Sequence, residues 1–206
     1  DDDAPERLRV EALTSAGRFD NVSFSVKKGE ILGITGLLGS GRTEIAQALF
    51  GLLPIDSGRV SIDGEQVEVA SIKQAIDAHI GYVPEDRLTE GLFLDKSIAD
   101  NVIAASIDHH TSKLHTLRKE RIRRTIAHYF EALRIKAPDV LAPVRSLSGG
   151  NAQRVVLAKW LATKPDVLIL NGPTVGVDIG SKYTIHSILQ RLAAQGMAIV
   201  IISDDI

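Results

Sequence analysis

The stretch between residues 30 and 53 constrains the fold most strongly, because it joins a short apolar run, a glycine-rich loop and a helical pattern. The run Glu30–Thr35 is typical of a buried parallel strand, and the helical pattern Glu44–Leu53 follows the loop. Between them, residues 36–43 read GLLGSGRT and fit the frame G-x-x-x-x-G-[K]-[ST] except at the lysine. Such a unit can hold a phosphate with backbone N–H groups at a helix start. We therefore predict an α/β fold with a phosphate-binding loop.

Two side chains at the end of this loop bear on its chemistry. Thr43 is placed to offer its hydroxyl to Mg²⁺. Arg42 stands where lysine is expected; its guanidinium keeps the positive charge but is bulkier, planar and more weakly hydrated. The alternative for the loop alone is a glycine-rich turn between strand and helix that binds no ligand.

The rest of the chain alternates strand and helix patterns around a helical insert. Apolar residues recur at spacings of three and four from Ile122 to Leu133, and Asp63-Gly64 is a hairpin turn signal. The order predicts an α/β sheet core with a mostly helical subdomain between about Leu88 and Ser146. The predicted strands are Leu8–Leu13, Val22–Val26, Glu30–Thr35, Arg59–Ile62, Val67–Val69, Ile80–Val83, Val167–Leu170 and Met197–Ser203, and the predicted helical segments are Glu44–Leu53, Ser97–Ile135, Asn151–Thr163 and Asp178–Gln195.

The composition excludes several classes of protein. The 206 residues include no cysteine, which excludes a disulfide framework and a cysteine metal site. A formal net charge of -2 gives no strong overall attraction to nucleic acid. No apolar run reaches the roughly 18 residues of a membrane-spanning helix. The acidic start DDDAPER lacks the features of a signal peptide and is expected to be a linker.

A second glycine-rich segment, LSGGNAQ at Leu147–Gln153, lies directly before a predicted helix. Serine, glycine and asparagine at such a place serve helix capping alone in many proteins. The N–H groups of Ser148, Gly149 and Gly150 would also form an anion site at the helix start, and the two interpretations are compatible. The apolar strand Val167–Leu170 then leads into NGPT and GVD at residues 171–174 and 176–178.

The phosphate loop, LSGG-N-x-Q, the apolar strand, x-x-P-T and G-V-D follow one another as in an ABC ATPase. The chain resembles that family over roughly Leu8 to Ile206. Gly36-Leu37 with Gly41–Glu44, then Pro84–Arg87 and Gly176–Lys182, resemble the C-terminal domain of the duplicated bacterial sugar-import ATPases of the ribose, galactose and xylose type. The resemblance implies a P-loop NTPase core with a parallel sheet, an antiparallel β subdomain and an inserted helical subdomain.

The same resemblance implies a layout and a set of site residues. Residues 1–206 would form one nucleotide-binding domain, with 1–7 as linker, about 8–87 and 147–206 as ATP-binding core, and about 88–146 as helical subdomain. Its cofactors would be ATP and Mg²⁺, with Thr43 as metal ligand. The expected cofactor contacts are Gly36, Gly39, Ser40, Gly41, Arg42, Thr43, Glu85, Ser148, Gly149, Gly150, Gln153 and Asp178, and the positions of the base and the switch are Asn171, Gly172 and Asp204.

Several of these positions depart from the family pattern. A competent ABC ATPase ends the strand after the signature in Asp-Glu, whereas this chain has Asn171 and Gly172. Asp204 stands where a switch histidine contacts the γ-phosphate, and its carboxylate would repel that phosphate. Glu85 replaces a glutamine, and Arg42 replaces the lysine. We therefore expect a site that binds nucleotide but hydrolyses it poorly.

The LSGG segment keeps the family pattern, and the resemblance therefore implies that it takes part in the ATP site of a partner domain. ABC domains work in head-to-tail pairs, each site joining the phosphate loop of one domain to the LSGG of the other. The implied partners are a first nucleotide-binding domain, transmembrane permease subunits and, indirectly, a periplasmic sugar-binding protein. The domain would lie at the cytoplasmic face of the inner membrane as a peripheral protein, with no nucleic-acid partner.

Two other functions are alternatives for a chain with these motifs. A nucleotide-binding regulatory or dimerisation half that does not hydrolyse ATP differs from the transport ATPase only in turnover. An ABC protein of DNA repair or chromosome structure would carry a long coiled-coil or zinc insert, and no heptad run separates the loop from the signature here.

Four further features carry alternatives. The basic stretch Lys113–Arg124 lacks interleaved aromatic residues and is interpreted as a solvated helix face. The histidines near its start, His109, His110 and His115, are interpreted as surface residues and not metal ligands. Trp160 is expected in the core. Phe19 either stacks on adenine or belongs to the core.

Overall fold

Eight strands and six α-helices occupy the residues that the computed structural model describes, which are 4–37, 39–111 and 116–203. A π-helical turn spans Arg87–Gly91, and 3₁₀ turns span Ile107–His110 and Val144–Ser146. The strands are β1 Glu6–Ser15, β2 Phe19–Lys27, β3 Ile31–Ile34, β4 Ser57–Ile62, β5 Glu65–Val67, β6 Ile80–Val83, β7 Val167–Asn171 and β8 Ala198–Ile202; the helices are α1 Arg42–Leu49, α2 Ile72–Asp77, α3 Ile98–Ala104, α4 Lys119–Ala132, α5 Gly149–Leu161 and α6 Ile179–Ala194.

The chain divides into two compact units. The first comprises the residues up to Tyr82, Pro165–Pro173 and the residues from Ser187 onward; the second comprises Val83–Lys164 and Thr174–His186. Both sheets belong to the first unit apart from Val83, and α3, α4 and α5 belong to the second. The predicted boundaries of the core and the helical subdomain remain a prediction.

The first unit contains an antiparallel sheet in the order β2-β1-β4-β5. Its hairpin turn is at Asp63-Gly64, as predicted, where Ile62 pairs with Glu65 and φ is 50° at Asp63 and 82° at Gly64. Positive φ at both central residues matches the twist of the strands. β1 begins at Glu6, so Glu6 and Arg7, which we assigned to the linker, belong to the strand; Arg7 is held by ion pairs to Asp63 at 2.7 Å and Asp166 at 3.0 Å.

The second sheet of this unit has the order β3-β8-β7-β6. β8 pairs in parallel with both β3 and β7, which confirms the predicted parallel sheet. β6 and β7 are buried along their whole length, as continuous apolar runs predict. The prediction that the run at Glu30–Thr35 is buried was wrong: β3 lies at the edge of the sheet, with every second residue exposed.

The second unit is built on α5, whose residues from Ala152 to Leu161 are all buried. Tyr129 of α4 donates its phenol to the carbonyl of Leu161 at 2.6 Å and so fixes α4 to the end of α5. α3 begins with a reciprocal capping box between Ser97 and Asp100. Trp160 is 8% exposed, which confirms its place in the core.

Three further predictions needed correction. The long helical segment Ser97–Ile135 is two helices with a 3₁₀ turn, and residues 112–115 between them, including His115, lie outside the described residues. α1 ends at Leu49 because Gly51 turns the chain at φ 73°, packed so tightly that a Cβ there would lie 2.3 Å from the backbone of Ser71. His110 is only 3% exposed and is not a surface residue.

Phe19 is 9% exposed at the start of β2, which favours its interpretation as a core residue. Over the described part of the chain, every helix is too short or too polar to cross a lipid bilayer.

Candidate functional site

The glycine-rich loop of the first unit joins the end of β3 to the start of α1. Gly41 is the N-cap of α1 with φ 87°, and a Cβ at this position would lie 2.5 Å from the carbonyl oxygen of Arg18. Only glycine fits such a close approach. No side chain caps the helix, so its first N–H groups are left for a ligand. Gly39 has φ 81° and Ser40 N–H bonds to the carbonyl of Leu37 at 3.0 Å, whereas Leu38 lies outside the described residues.

Arg42 folds back on its own loop. One guanidinium nitrogen donates to the carbonyl oxygen of Gly36, the first glycine of the motif. This contact ties the first and seventh residues of the loop and keeps the positive charge beside the backbone cradle. A lysine has no planar fork with which to hold the loop in this way while facing a phosphate.

The carboxyl end of β7 faces the start of α1 within the same unit. Asn171 is the last residue of β7 and is 4% exposed, and its Nδ2 lies 3.4 Å from Oγ1 of Thr43. Gly172 follows with φ 55° and donates its N–H to the carbonyl of Ile202 at 2.7 Å. The structure therefore brings together the predicted metal ligand and one degenerate position. Asp204 lies outside the described residues.

The LSGG segment of the second unit forms the start of α5. Ser148 is the N-cap in an extended conformation, and its side chain makes no cap hydrogen bond. Instead Asn151 donates from Nδ2 to Oγ of Ser148 at 3.0 Å and accepts from the N–H of Lys136 at 2.8 Å. Because Asn151 holds the serine, the N–H groups at the helix start have no partner from that side chain. This geometry suits an anion as well as a simple cap.

The two glycines of this segment are required by close packing within the second unit. A Cβ on Gly149 would lie 2.9 Å from Nη2 of Arg87, and a Cβ on Gly150 would lie 2.0 Å from Oγ of Ser181. Ser181 in turn donates its hydroxyl to Asp178 at 2.7 Å. That hydrogen bond, together with the one from the Ser181 N–H, holds the pKa of Asp178 below its usual value. Gly150, Ser181 and Asp178 thus form one packed group.

Arg87 is a residue that sequence reasoning did not single out. It is 9% exposed and donates to the carbonyls of Val175 at 2.7 Å and Gly176 at 2.9 Å, with Gly149 beside its guanidinium. The only signal for Arg87 in the sequence is its place in the segment Pro84–Arg87, which carries part of the family resemblance. Its role is to join three separate segments of the second unit.

Two other predicted contacts of the second unit lie elsewhere. Glu85 is exposed on the loop after β6, next to Asp86, which accepts hydrogen bonds from Leu88 and Thr89 and starts the π-helical turn. Gln153 is 2% exposed, inside the unit on α5. Its Nε2 is buried and has no hydrogen-bond partner among the described residues, so the amide is not presented on the surface of this unit.

We expect Gly150→Ala to destabilise the fold by about 1–3 kcal/mol, because the added methyl displaces Ser181. The loss should be smaller by about 1 kcal/mol when Ser181 is itself replaced by glycine, since the clash then disappears. Urea denaturation of the two single variants and the double variant measures this coupling. An equal loss in both backgrounds would contradict the packing described here.

The family model described as ABC transporter matches residues 19–175, more than half of the chain and including both glycine-rich segments. The chain belongs to the ABC transporter family. The cassette is 46% identical over 201 residues to the ribose import ATP-binding protein RbsA of Geobacillus kaustophilus, covering 98% of this chain and 40% of that protein. The protein of the same name from Cereibacter sphaeroides is also 46% identical, over 97% of this chain and 39% of its own length.

Solved structures confirm the ABC ATPase fold of the cassette. An ATP-binding cassette of an ABC transporter in its ADP conformation superposes with a TM-score of 0.82 at 23% identity, covering 98% of this chain and 82% of that one. A nucleotide-free cassette gives 0.81 at 24% identity, covering 96% and 81%. The cassette spans about 40% of the length of the curated relatives it matches.

Proposed function

We propose that this chain is the C-terminal ATP-binding cassette of a duplicated bacterial sugar importer, and that its own site binds ATP with little turnover. The observation that carries the proposal is the end of β7, where a buried amide and a glycine stand in place of two carboxylates, beside an otherwise complete phosphate loop. The high identity to two ribose import ATP-binding proteins supports the assignment to sugar import.

ATP would bind at the phosphate loop through backbone N–H groups. The cradle is formed by positive-φ glycines at 39 and 41, and Arg42 adds a charge beside them. The two ribose import proteins are named for ATP binding, and the loop of this chain departs from the general phosphate-loop pattern only at Arg42. The loop therefore supports nucleotide binding independently of hydrolysis.

The residues present fit Mg²⁺ only in part. Thr43 has the hydroxyl that would hold the ion together with phosphate oxygens and water, which is how Mg²⁺ is usually bound. Its neighbour Asn171 turns an amide nitrogen toward that hydroxyl at 3.4 Å, where a carboxylate would add negative charge. When bound, Mg²⁺ supplies charge neutralisation of the β- and γ-phosphates. Of the described residues, only Thr43 is therefore expected to contribute a ligand to Mg²⁺, and that ligand is a neutral hydroxyl oxygen.

Weak hydrolysis follows from the missing base. A general base contributes about 10²–10⁴-fold to such reactions, which corresponds to roughly 3–5 kcal/mol of barrier. Gly172 has no side chain to polarise the attacking water, and Asn171 has no charge to organise it. Binding without turnover is the expected behaviour of this site.

The intact LSGG segment supports a role in a second site. Ser148, Gly149 and Gly150 keep the packing and the open helix start described above, whereas the residues at the end of β7 have lost their chemistry. We infer that this segment completes the ATP site of a first cassette, in the same or a partner chain. Permease subunits would hold the pair at the cytoplasmic face of the inner membrane, and a periplasmic binding protein would deliver the sugar.

The second candidate is a regulatory or dimerisation half that binds ATP and serves no catalytic site. The same neutral end of β7 favours it. The two candidates differ in whether Ser148 contributes to turnover in the partner site.

We expect Ser148→Arg to lower the ATPase rate of the two-cassette protein by about 10²-fold, because a bulky cation replaces the serine at the start of α5 and occupies the place of the γ-phosphate contacts. Ser146→Arg is the matched control, since Ser146 is also exposed, lies two residues away and precedes the helix. Steady-state phosphate release from both variants is the measurement. Unchanged turnover in Ser148→Arg would exclude the catalytic role and leave the regulatory half.

A further inference from the structure

A basic cavity lies in the second unit, away from both glycine-rich segments in the sequence. It has a volume of about 290 Å³ and is formed by the 3₁₀ turn Ile107–His110, helix α4 and the residues that follow α5. Among the described residues no carboxylate lines it. Its basic lining residues are His109, His110, Arg121, Arg124, His128 and Lys164.

His110 forms the buried part of this cavity. It is 3% exposed, and neither ring nitrogen has a hydrogen-bond partner among the described residues. A buried polar group without a partner costs roughly 1–3 kcal/mol. Burial, and then the positive charges of Arg121, His109 and Lys164, hold the pKa of His110 below its usual value. A ligand that accepts a hydrogen bond from the ring and carries negative charge would satisfy both deficiencies.

The mouth of the cavity is exposed and carries permanent positive charge. Arg121, Arg124 and Lys164 are exposed, and His109 and His128 are exposed beside them. Arg124 shares an ion pair with Glu120 at 3.1 Å, on side chains that are 78% and 66% exposed, so this pair leaves the guanidinium open to a second partner. Arg121, Arg124 and Lys164 are three fixed cations around one buried imidazole, and none of the lining residues that the structure describes is an acid.

We propose that this cavity binds a small phosphate-bearing anion, either inorganic phosphate or a phosphate monoester. Guanidinium groups pair with phosphate through two parallel hydrogen bonds, and a dianion matches a cluster of three fixed cations better than a monovalent anion does. A cavity of about 290 Å³ is near the lower limit of ligand pockets, which suits a phosphate with a small organic group. The site is separate from the ATP site of the proposed function and does not depend on it.

The histidine ring protons provide a direct test in the purified chain. Addition of inorganic phosphate should shift the NMR signals of His109, His110 and His128 saturably and should raise the pKa of His110, since the bound anion stabilises its protonated ring. The groups that face His110 are His109, Arg121 and Lys164, with Arg124, His128 and Tyr129 on α4. His79 and His186 do not line the cavity and serve as internal references. Equal shifts of all histidines, or the same shifts with chloride at matched ionic strength, would overturn the proposal.

Two arginine variants separate specific binding from general charge. Arg121→Gln should weaken phosphate binding about tenfold or more, because it removes a charged hydrogen-bond donor from the lining. Arg123→Gln removes the same charge from the same helix but not from the cavity, and should leave the affinity within about twofold. An equal loss in both variants would show that only the net charge of α4 matters and would overturn the site.

The source of the phosphate group is distinguished by a second probe. Methyl phosphate is titrated under the same conditions as inorganic phosphate. A matching response to both assigns the site to phosphate monoesters, and a response to inorganic phosphate alone assigns it to the free ion. Phosphate bound at the loop Gly36–Thr43 stays out of the result, because that loop contains no histidine and the readout is the ring signals of the cavity. Failure of these titrations would leave the proposed ATP-binding function untouched.

Discussion

Asn171→Asp combined with Gly172→Glu should raise the steady-state ATPase rate of this chain, assembled with its partner cassette, by about 10²-fold or more. The amide of Asn171 lies 3.4 Å from the hydroxyl of Thr43, so an aspartate there would add its charge beside the hydroxyl that is expected to hold the metal. The glutamate would supply the base that Gly172 lacks. Because Arg42 and Asp204 would remain as they are, we expect the lower part of the range associated with a general base.

The matched control is Asn171→Asp combined with Gly172→Gln. It has the same shape and carries the same backbone penalty, since Gly172 has φ 55°, a conformation that costs a non-glycine residue about 1–2 kcal/mol. Only the carboxylate distinguishes the two variants. Phosphate release is measured beside ATP affinity and the unfolding midpoint. If both variants bind ATP, fold and remain equally slow, the end of β7 does not limit hydrolysis.

Lys159→Met should remove a pH-dependent part of the stability. Between pH 8 and pH 10.5 the free energy of unfolding of the natural chain should rise by about 3 kcal/mol relative to that of the variant. Lys159 lies on α5, is 7% exposed and donates to the carbonyl of Gly91 at 2.6 Å, and burial lowers its pKa to about 8. Above pH 8 the folded state releases this proton while the unfolded state keeps it. The natural chain is therefore expected to gain stability relative to the methionine variant, by about 1.4 kcal/mol per pH unit, as the pH rises through this window.

Lys119→Met on the exposed start of α4 is the control for loss of a lysine. Urea denaturation at pH 7, 8, 9 and 10 measures the free energy of unfolding of all three proteins. The free energy of unfolding of the natural chain minus that of Lys159→Met should increase with rising pH, and the same difference for Lys119→Met should stay constant. A constant difference for both variants would show that Lys159 keeps its ordinary pKa in the folded state.

Local sequence signals predicted the parts of this fold that depend on local physics. The hairpin turn at Asp63-Gly64 needs positive φ at both residues, and that preference is visible in the sequence. β6 was predicted with its observed bounds because Ile80–Val83 is a short and largely apolar run. The glycines of both loops were identified from their motifs, and the structure gives the steric reason for two of them: a Cβ would lie 2.5 Å from a backbone oxygen at Gly41 and 2.0 Å from Ser181 at Gly150.

Features that depend on distant neighbours could not be predicted in this way. β3 is as apolar as β7, and only its position at the edge of the sheet makes it half-exposed. α2 has six residues with one buried side chain, which is too short for a helical period to appear. His110 is a polar residue whose burial depends on the side chains packed around it in the fold. The basic cavity was therefore not predicted, because the basic stretch Lys113–Arg124 has the pattern of a solvated helix face.

Arg87 couples the positions of three segments of the second unit. Its backbone begins the π-helical turn after β6, while its guanidinium is fastened to the carbonyls of Val175 and Gly176 and covers Gly149. A movement of that turn away from residues 175 and 176 would therefore break both hydrogen bonds and would uncover Gly149 at the start of α5.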